Sequence, residues 1–146
     1  MGRIAGIARH GVKRGPIETI EQVRVTPDGG VDGDCNGHKN RRQVSLIEAG
    51  DWAAALAEVG ADIPWWERRA NFLVEGLDLP QNVGARLRIG ADVVIEIRTE
   101  CDPCERMEAL HPGLRAALEP DWRGGALGKV IAGGIINIGD EIRIET

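Results

Sequence analysis

Short runs in which apolar residues alternate with charged or polar ones recur along the chain, and glycine-centred turns separate them. Residues 93–98 and 141–145 show this period of two, which is typical of half-buried β-strands. Many short strands at a spacing of about 8–12 residues, with few helices, predict a mainly β fold built as a closed or nearly closed barrel. The predicted strands cover residues 3–8, 17–25, 43–47, 71–74, 85–89, 93–98, 127–131, 135–138 and 141–145.

One segment has a helical period instead. Trp52, Leu56 and Val59 fall on one stripe, and Gly60 follows as a residue suited to end a helix. The pattern predicts helices over residues 48–59 and 103–110, with a further helical turn near 113–118.

The strongest chemical signal lies at the start of the second predicted helix. Asp102 is a good N-cap, Pro103 suits the first helical position, and Glu105 would complete a capping box, which predicts Cys104 in the first turn. Unpaired backbone N–H groups there favour a thiolate, so Cys104 is predicted to be a reactive thiol or metal ligand. We expect it to be more nucleophilic than the other two cysteines; a buried structural cysteine is the alternative.

The remaining cysteines, Cys35 and Cys101, leave two other interpretations open. Cys101 and Cys104 have the C-x-x-C spacing of a redox couple, although the short strands do not offer the βαβ context of thioredoxin-type sites. Cys35 and His38, joined to the C-x-x-C pair, would make a Cys₃His zinc set. The odd number of cysteines indicates free thiols in a reducing cytoplasm.

Length and charge narrow the classes of function. The 146 residues suit a single domain spanning 1–146, and the net charge is −5. The acidic bulk argues against a nucleic-acid partner. No apolar stretch approaches the ~20 residues of a membrane span, and residues 1–15 lack the apolar block of a secretory signal, so neither is expected. A local basic excess suits a small anion and comprises His38, Lys39, Arg41 and Arg42.

Two polar segments offer groups for such an anion. The glycine-rich loop 33–40 leads into Arg42, and either guanidinium or imidazole groups there could hold phosphate; a solvated surface loop is the alternative. Arg69 and Asn71 stand before a predicted strand, where they could bind anionic or amide groups or merely form a salt-bridged strand entrance.

These segments stand in an order that resembles one family. Gly33-Asp34 through His38 resembles a glycine-aspartate-x-histidine segment, and Arg69-Ala70-Asn71 with Val74 resembles an R-x-N-x-x-V segment, both of the MOSC domain family. That family is named for the C-terminal region of molybdenum-cofactor sulfurases. The resemblance covers nearly the whole chain, is strongest to short stand-alone bacterial members, and rests on 33–38, 42–46, 67–74, 76–79, 84–90, 139–142 and Cys104.

The resemblance implies a barrel-like β fold and a site for the molybdenum cofactor, molybdopterin, a pterin with a phosphate tail. It implies that Cys104 ligates molybdenum or accepts sulfane sulfur, that Arg69 and Asn71 hold the pterin or its phosphate, and that His38 and Arg42 line the same pocket. Pyridoxal phosphate belongs to a separate domain of the fused sulfurases, and none is expected within this chain.

Three classes of function therefore stand side by side. The first handles sulfur or molybdenum cofactor through Cys104 and takes sulfur from a donor protein. The second is a reductase component for N-hydroxylated compounds that needs an electron-transfer partner, because the chain has no flavin or iron–sulfur signature. The third is a non-catalytic pterin-binding module or a zinc-clipped structural domain.

Overall fold

The computed structural model describes residues 1–40 and 42–145, so Arg41 of the predicted basic cluster lies outside the described residues. Within them the chain forms eleven β-strands, three α-helices and two short 3₁₀ helices. The strands are β1 (Gly2–Arg9), β2 (Glu18–Ile20), β3 (Gln22–Thr26), β4 (Gly30–Val31), β5 (Val44–Glu48), β6 (Phe72–Glu75), β7 (Arg86–Ile89), β8 (Val93–Glu100), β9 (Ala126–Ala132), β10 (Gly134–Asn137) and β11 (Glu141–Glu145). The helices are α1 (Ala49–Val59), α2 (Glu105–Leu110) and α3 (Leu114–Ala117), with 3₁₀ turns at Trp65–Arg68 and Pro120–Trp122.

The strands close into a barrel, as the alternating pattern predicts. Within the described residues, seven strands follow the order β11-β7-β8-β9-β5-β6-β1, and pairing of β11 with β1 closes the ring. Every neighbouring pair is antiparallel except β5 and β6. The mainly β, barrel-like fold class is confirmed. None of the helices in the described part of the chain has the length and apolar character to cross a membrane.

Alternation along β5 divides the apolar residues between two clusters. Leu46 points into the barrel and its neighbour Ile47 points outward, since successive strand residues face opposite sides. The barrel interior is filled by aliphatic side chains around Phe72, all nearly inaccessible to solvent. Outside it, the helices pack on the barrel wall through Trp52, Ala55, Met107, Leu114 and Leu118.

Helix α1 agrees with its periodic pattern, and Gly60 ends it in the left-handed conformation at φ +70°. The predicted strand over 17–25 is wrong in one respect. The chain breaks at Glu21, so β2 joins the edge of the barrel sheet while β3 pairs with β10 and β4 in a separate small sheet. Alternation alone does not reveal such a break because both halves keep a period of two.

The start of α1 holds two interacting carboxyl groups. Glu48 precedes the helix and accepts a hydrogen bond from the Leu79 backbone N–H at 3.1 Å, while Asp51 lies in the first turn. Burial, together with the nearby negative charges of Asp51 and Asp78, raises the pKa of Glu48 to about 7, and burial also raises the pKa of Asp51. The Leu79 hydrogen bond opposes the shift at Glu48.

This pair should make the stability of the protein pH-dependent. Between the ordinary pKa of 4.5 and about 7, folded Glu48 keeps a proton that the unfolded chain releases. Its contribution is therefore complete below pH 4.5 and is lost as the pH rises through about 7. We expect the unfolding free energy to fall by roughly 2 kcal/mol from this source between pH 5 and pH 8.

Urea unfolding of Glu48→Gln at a series of pH values checks this expectation. Glutamine keeps the acceptor for Leu79 and carries no titrating proton, so the variant should match wild type near pH 5 and exceed it at pH 8. The exposed Asp62→Asn is the matched charge control and should retain the wild-type slope. An unchanged slope in Glu48→Gln would show that this carboxyl does not carry the pH dependence.

Candidate functional site

One open cavity of about 640 Å³ gathers the polar segments that the sequence analysis singled out. Its wall combines the loop after β1, the glycine-rich loop before β5, the 3₁₀ turn at Trp65–Arg68, and the segment that leads into α2. The lining residues are His10, Lys13, Arg14, Cys35, Asn36, Lys39, Arg42, Ser45, Arg68, Arg69, Cys101, Asp102, Cys104, Glu105, Arg106, Met107 and Leu127.

Positive charge dominates this pocket. Among the described residues, seven lysine and arginine side chains line it against the two carboxylates of Asp102 and Glu105. The chain as a whole carries a net charge of −5, so the charge of the pocket is opposite in sign to that of the whole protein. A concave, cationic surface concentrates anions of matching size, and its volume suits a cofactor-sized molecule.

Arg69 places on the pocket wall a buried donor that has no partner in the described part of the chain. Its backbone adopts φ +66°, a left-handed conformation that costs a non-glycine residue energy. Its Nη2 donates to the Gly15 carbonyl at 2.7 Å, but its buried Nε has no partner within the described residues. Arg14, also on the pocket wall, has φ +60°. A strained backbone and an unpaired buried donor are features that a bound anion would offset.

Arg68 holds the chain in front of α2. Its Nε donates to the Gly124 carbonyl at 3.1 Å, and its Nη2 lies 2.9 Å from the Cys101 carbonyl and 3.1 Å from the Cys101 Sγ. Arg68 is buried and forms no ion pair with a carboxylate among the described residues. A Cβ at Gly124 would lie 2.5 Å from the Cys101 carbonyl oxygen, so glycine is needed for this approach.

These contacts overturn the predicted capping box. α2 begins at Glu105, Cys104 is its N-cap residue in an extended conformation, and no side chain of the described residues caps the helix. Asp102 is not the N-cap because residues 101–104 precede the helix, and the Cys101 N–H donates to the Gly125 carbonyl at 2.9 Å. Cys104 is therefore the N-cap, two positions before the second helical position that the predicted capping box gives it, and it is exposed on the pocket wall.

All three cysteines are free and line the same pocket. Cys104 is exposed, whereas Cys35 and Cys101 are partly covered. Burial raises the pKa of the Cys101 thiol, and the charges of Arg68 and Arg42 oppose that shift. Within residues 1–40 and 42–145, no three His, Cys, Asp or Glu side chains converge as a metal site, so the four residues of the zinc alternative are not assembled.

The predicted site residues divide into two groups. Arg42, Arg69 and Cys104 line the pocket together. His38 is exposed and does not belong to the pocket wall. Asn71 is buried behind it, where its side chain binds the backbone of Ser45 and Ala8. Their roles toward a ligand remain predictions.

Comparison with known proteins assigns the chain to a family. The MOSC domain pattern matches residues 32–143. The chain belongs to the MOSC domain family. No curated protein matches the sequence.

Solved structures share the MOSC fold of this chain at low sequence identity. The YuaD protein of Bacillus subtilis superimposes with a TM-score of 0.81 and 21% identity, over 97% of this chain and 94% of that one. YiiM of Geobacillus stearothermophilus gives a TM-score of 0.75 and 15% identity, over 100% and 76% of the two chains. YiiM of Escherichia coli gives 0.71 and 15%, over 99% and 70%.

The MOSC match begins at residue 32, yet earlier residues complete both the barrel and its pocket. β1 closes the ring, and the loop after it supplies His10, Lys13 and Arg14 to the wall. Sequence reasoning missed these three. The cluster of basic residues at positions 9–14 was the available signal, but nothing local joins it to loop 33–40.

Proposed function

We propose that this MOSC protein binds a small phosphate-bearing ligand of the molybdenum-cofactor class in the cationic pocket, and that Cys104 is its working thiol, as sulfane-sulfur acceptor or molybdenum ligand. The observation that carries the proposal is that, among the described residues, seven cationic side chains and one exposed cysteine converge on a single cavity of an acidic protein. Neither a structural core nor a nucleic-acid surface needs that combination.

The residues present fit such a cofactor. The buried Nε of Arg69 lacks a protein partner among the described residues, and a phosphate oxygen is a suitable acceptor for it. Arg14 and Arg42 would add charge on the same wall, and Cys104 would offer the soft sulfur ligand that molybdenum accepts. When bound, the cofactor would supply the redox or sulfur-transfer chemistry, while the protein supplies the anion site and the thiol.

The sulfur-acceptor role is the one that the exposure of Cys104 favours. A thiolate at Cys104 would attack the terminal sulfur of a persulfide on a small molecule or a donor protein. A new S–S bond forms at Cys104, the S–S bond of the donor breaks, and the donor leaves as a thiolate. Cys104 is oxidised to a persulfide and the donor is reduced, so no further oxidant is needed. Such thiol chemistry suits a reducing cytoplasm, where we place the protein.

Intact-mass measurement after incubation with glutathione persulfide tests this proposal. We expect wild type to gain about 32 Da, the mass of one sulfur atom, and Cys104→Ser to gain none. Cys35→Ser and Cys101→Ser are the matched controls, because both residues line the same pocket, and each should load as wild type does. Equal loading of Cys104→Ser and wild type would refute the acceptor role.

Binding of inorganic phosphate, measured by calorimetry, tests the other half of the proposal. We expect saturable binding that weakens as the salt concentration rises, because the pocket cations provide the attraction. If Cys104 loads with sulfur but phosphate does not bind, the thiol role stands and the anion site is wrong.

A further inference from the structure

A histidine and an aspartate far apart in sequence meet on the pocket wall. His10 follows β1, is only 7% exposed, and lines the cavity. Asp34 belongs to the glycine-rich loop, and its side chain is fully shielded from solvent. The His10 Nδ1 and the Asp34 Oδ1 are 3.6 Å apart. A buried carboxylate directly behind a buried imidazole is an arrangement that orients the ring.

The carboxylate of Asp34 is fixed by the backbone around it. Its Oδ1 accepts the His10 N–H and its Oδ2 accepts the Asn36 N–H, both at 3.1 Å. The Cys35 N–H in turn donates to the His10 carbonyl at 2.8 Å. Two of these bonds join the His10 segment to the loop, and the third fixes the carboxylate within the loop itself.

Neither ring nitrogen of His10 makes a hydrogen bond within residues 1–40 and 42–145. Nδ1 faces the Asp34 carboxylate at 3.6 Å, a charge contact longer than a hydrogen bond, and Nε2 has no partner there. Burial lowers the pKa of His10; Asp34 opposes this shift, and the charges of Arg69 and Arg106 reinforce it. Below-normal basicity leaves the imidazole neutral near pH 7, which is the form that accepts a proton.

We propose that His10 is the proton-transfer group of the pocket and that Asp34 is its positioning residue. This inference rests on the proposed thiol chemistry at Cys104. His10 would take the proton of the Cys104 thiol, directly or through one water molecule, as the sulfur attacks a persulfide donor. The proton then passes to the departing donor thiolate, so His10 returns to its neutral form and the step is balanced in atoms and electrons.

The chain supplies a matched control for this role. The control is His111, which does not belong to the pocket wall and has no predicted role in binding. His111 lies at the end of α2, with its Nδ1 2.9 Å from the Pro112 carbonyl oxygen. Since the sequence contains only three histidines, each ring can be followed separately by NMR.

The test measures Cys104 alkylation by iodoacetamide against pH, with the ring titration of His10 followed by NMR. In wild type we expect the rate to rise through an inflection below pH 6.5 that coincides with the His10 titration. His10→Gln should lose this inflection and react about tenfold more slowly at pH 7. His111→Gln should match wild type. Asp34→Asn should move the inflection to lower pH, because the carboxylate supports protonation of the ring.

Several outcomes separate this inference from the proposed function. A wild-type inflection that does not coincide with the His10 titration overturns the role of His10, and this result needs no variant to fold. An unaltered alkylation rate in a folded His10→Gln variant overturns that role as well. If His10→Gln accepts sulfur as fast as wild type, the acceptor function of Cys104 stands and the proton-transfer role of His10 is wrong. If alkylation depends on His10 but glutathione persulfide never loads Cys104, the proton-transfer role stands and the acceptor function fails.

Discussion

Replacing Asn71 with alanine should lower the unfolding free energy by about 3 kcal/mol. The Asn71 Oδ1 accepts the Ser45 N–H at 3.0 Å and its Nδ2 donates to the Ala8 carbonyl at 3.1 Å, in a position only 3% exposed. Alanine would leave both backbone groups buried without partners, and each costs about 1–3 kcal/mol. Asn71 thus joins the segment before β6 to β1 and β5, and urea unfolding measures the loss.

A comparison with Ser45→Ala isolates the backbone bonds. The Ser45 hydroxyl also contacts Asn71, but its removal leaves the two backbone groups paired, so we expect a cost nearer 1 kcal/mol. The resemblance to the family instead predicts a ligand-binding role for Asn71. Native stability combined with lost phosphate binding in Asn71→Ala would favour that role and contradict the structural one.

The sequence was informative where the signal is local. In β8, Val93, Ile95 and Ile97 are buried at every second position, as the period of two predicts. Both this period and the apolar stripe of α1 arise because a single segment turns one of its faces to the core. Gly60 ends α1 because its left-handed conformation is cheap for glycine alone. Short, independent elements of this kind can be predicted from the sequence without knowing what they pack against.

The pocket was harder to predict because the residues that contact one another in it are far apart in the sequence. His10 and Asp34 are 24 positions apart, and Arg68 and Cys101 are 33 apart. The residues before α2 have the pattern of a capping box. The helix nevertheless begins later, because the Cys101 N–H bonds to the Gly125 carbonyl and Arg68 donates to the Cys101 carbonyl. Tertiary hydrogen bonds of buried groups outweigh a cap of about 1 kcal/mol.

Replacing Arg69 with asparagine should weaken inorganic phosphate binding about 10- to 100-fold while leaving the melting temperature nearly unchanged. The loss reflects one charge-assisted hydrogen bond, of roughly 1.5–3 kcal/mol. Asparagine tolerates the φ of +66° better than other non-glycine residues. Loss of the bond to the Gly15 carbonyl is offset by removal of the buried, unpaired Nε.

Arg115→Asn provides the matched control, since it removes the same charge from the exposed surface of α3, away from the pocket wall. If net charge alone attracted phosphate, both variants would weaken binding equally and by little, because exposed charges are screened at physiological ionic strength. Calorimetric titration at two salt concentrations distinguishes the cases. Equal phosphate affinity in Arg69→Asn and wild type would show that the unpaired donor of Arg69 is not an anion site.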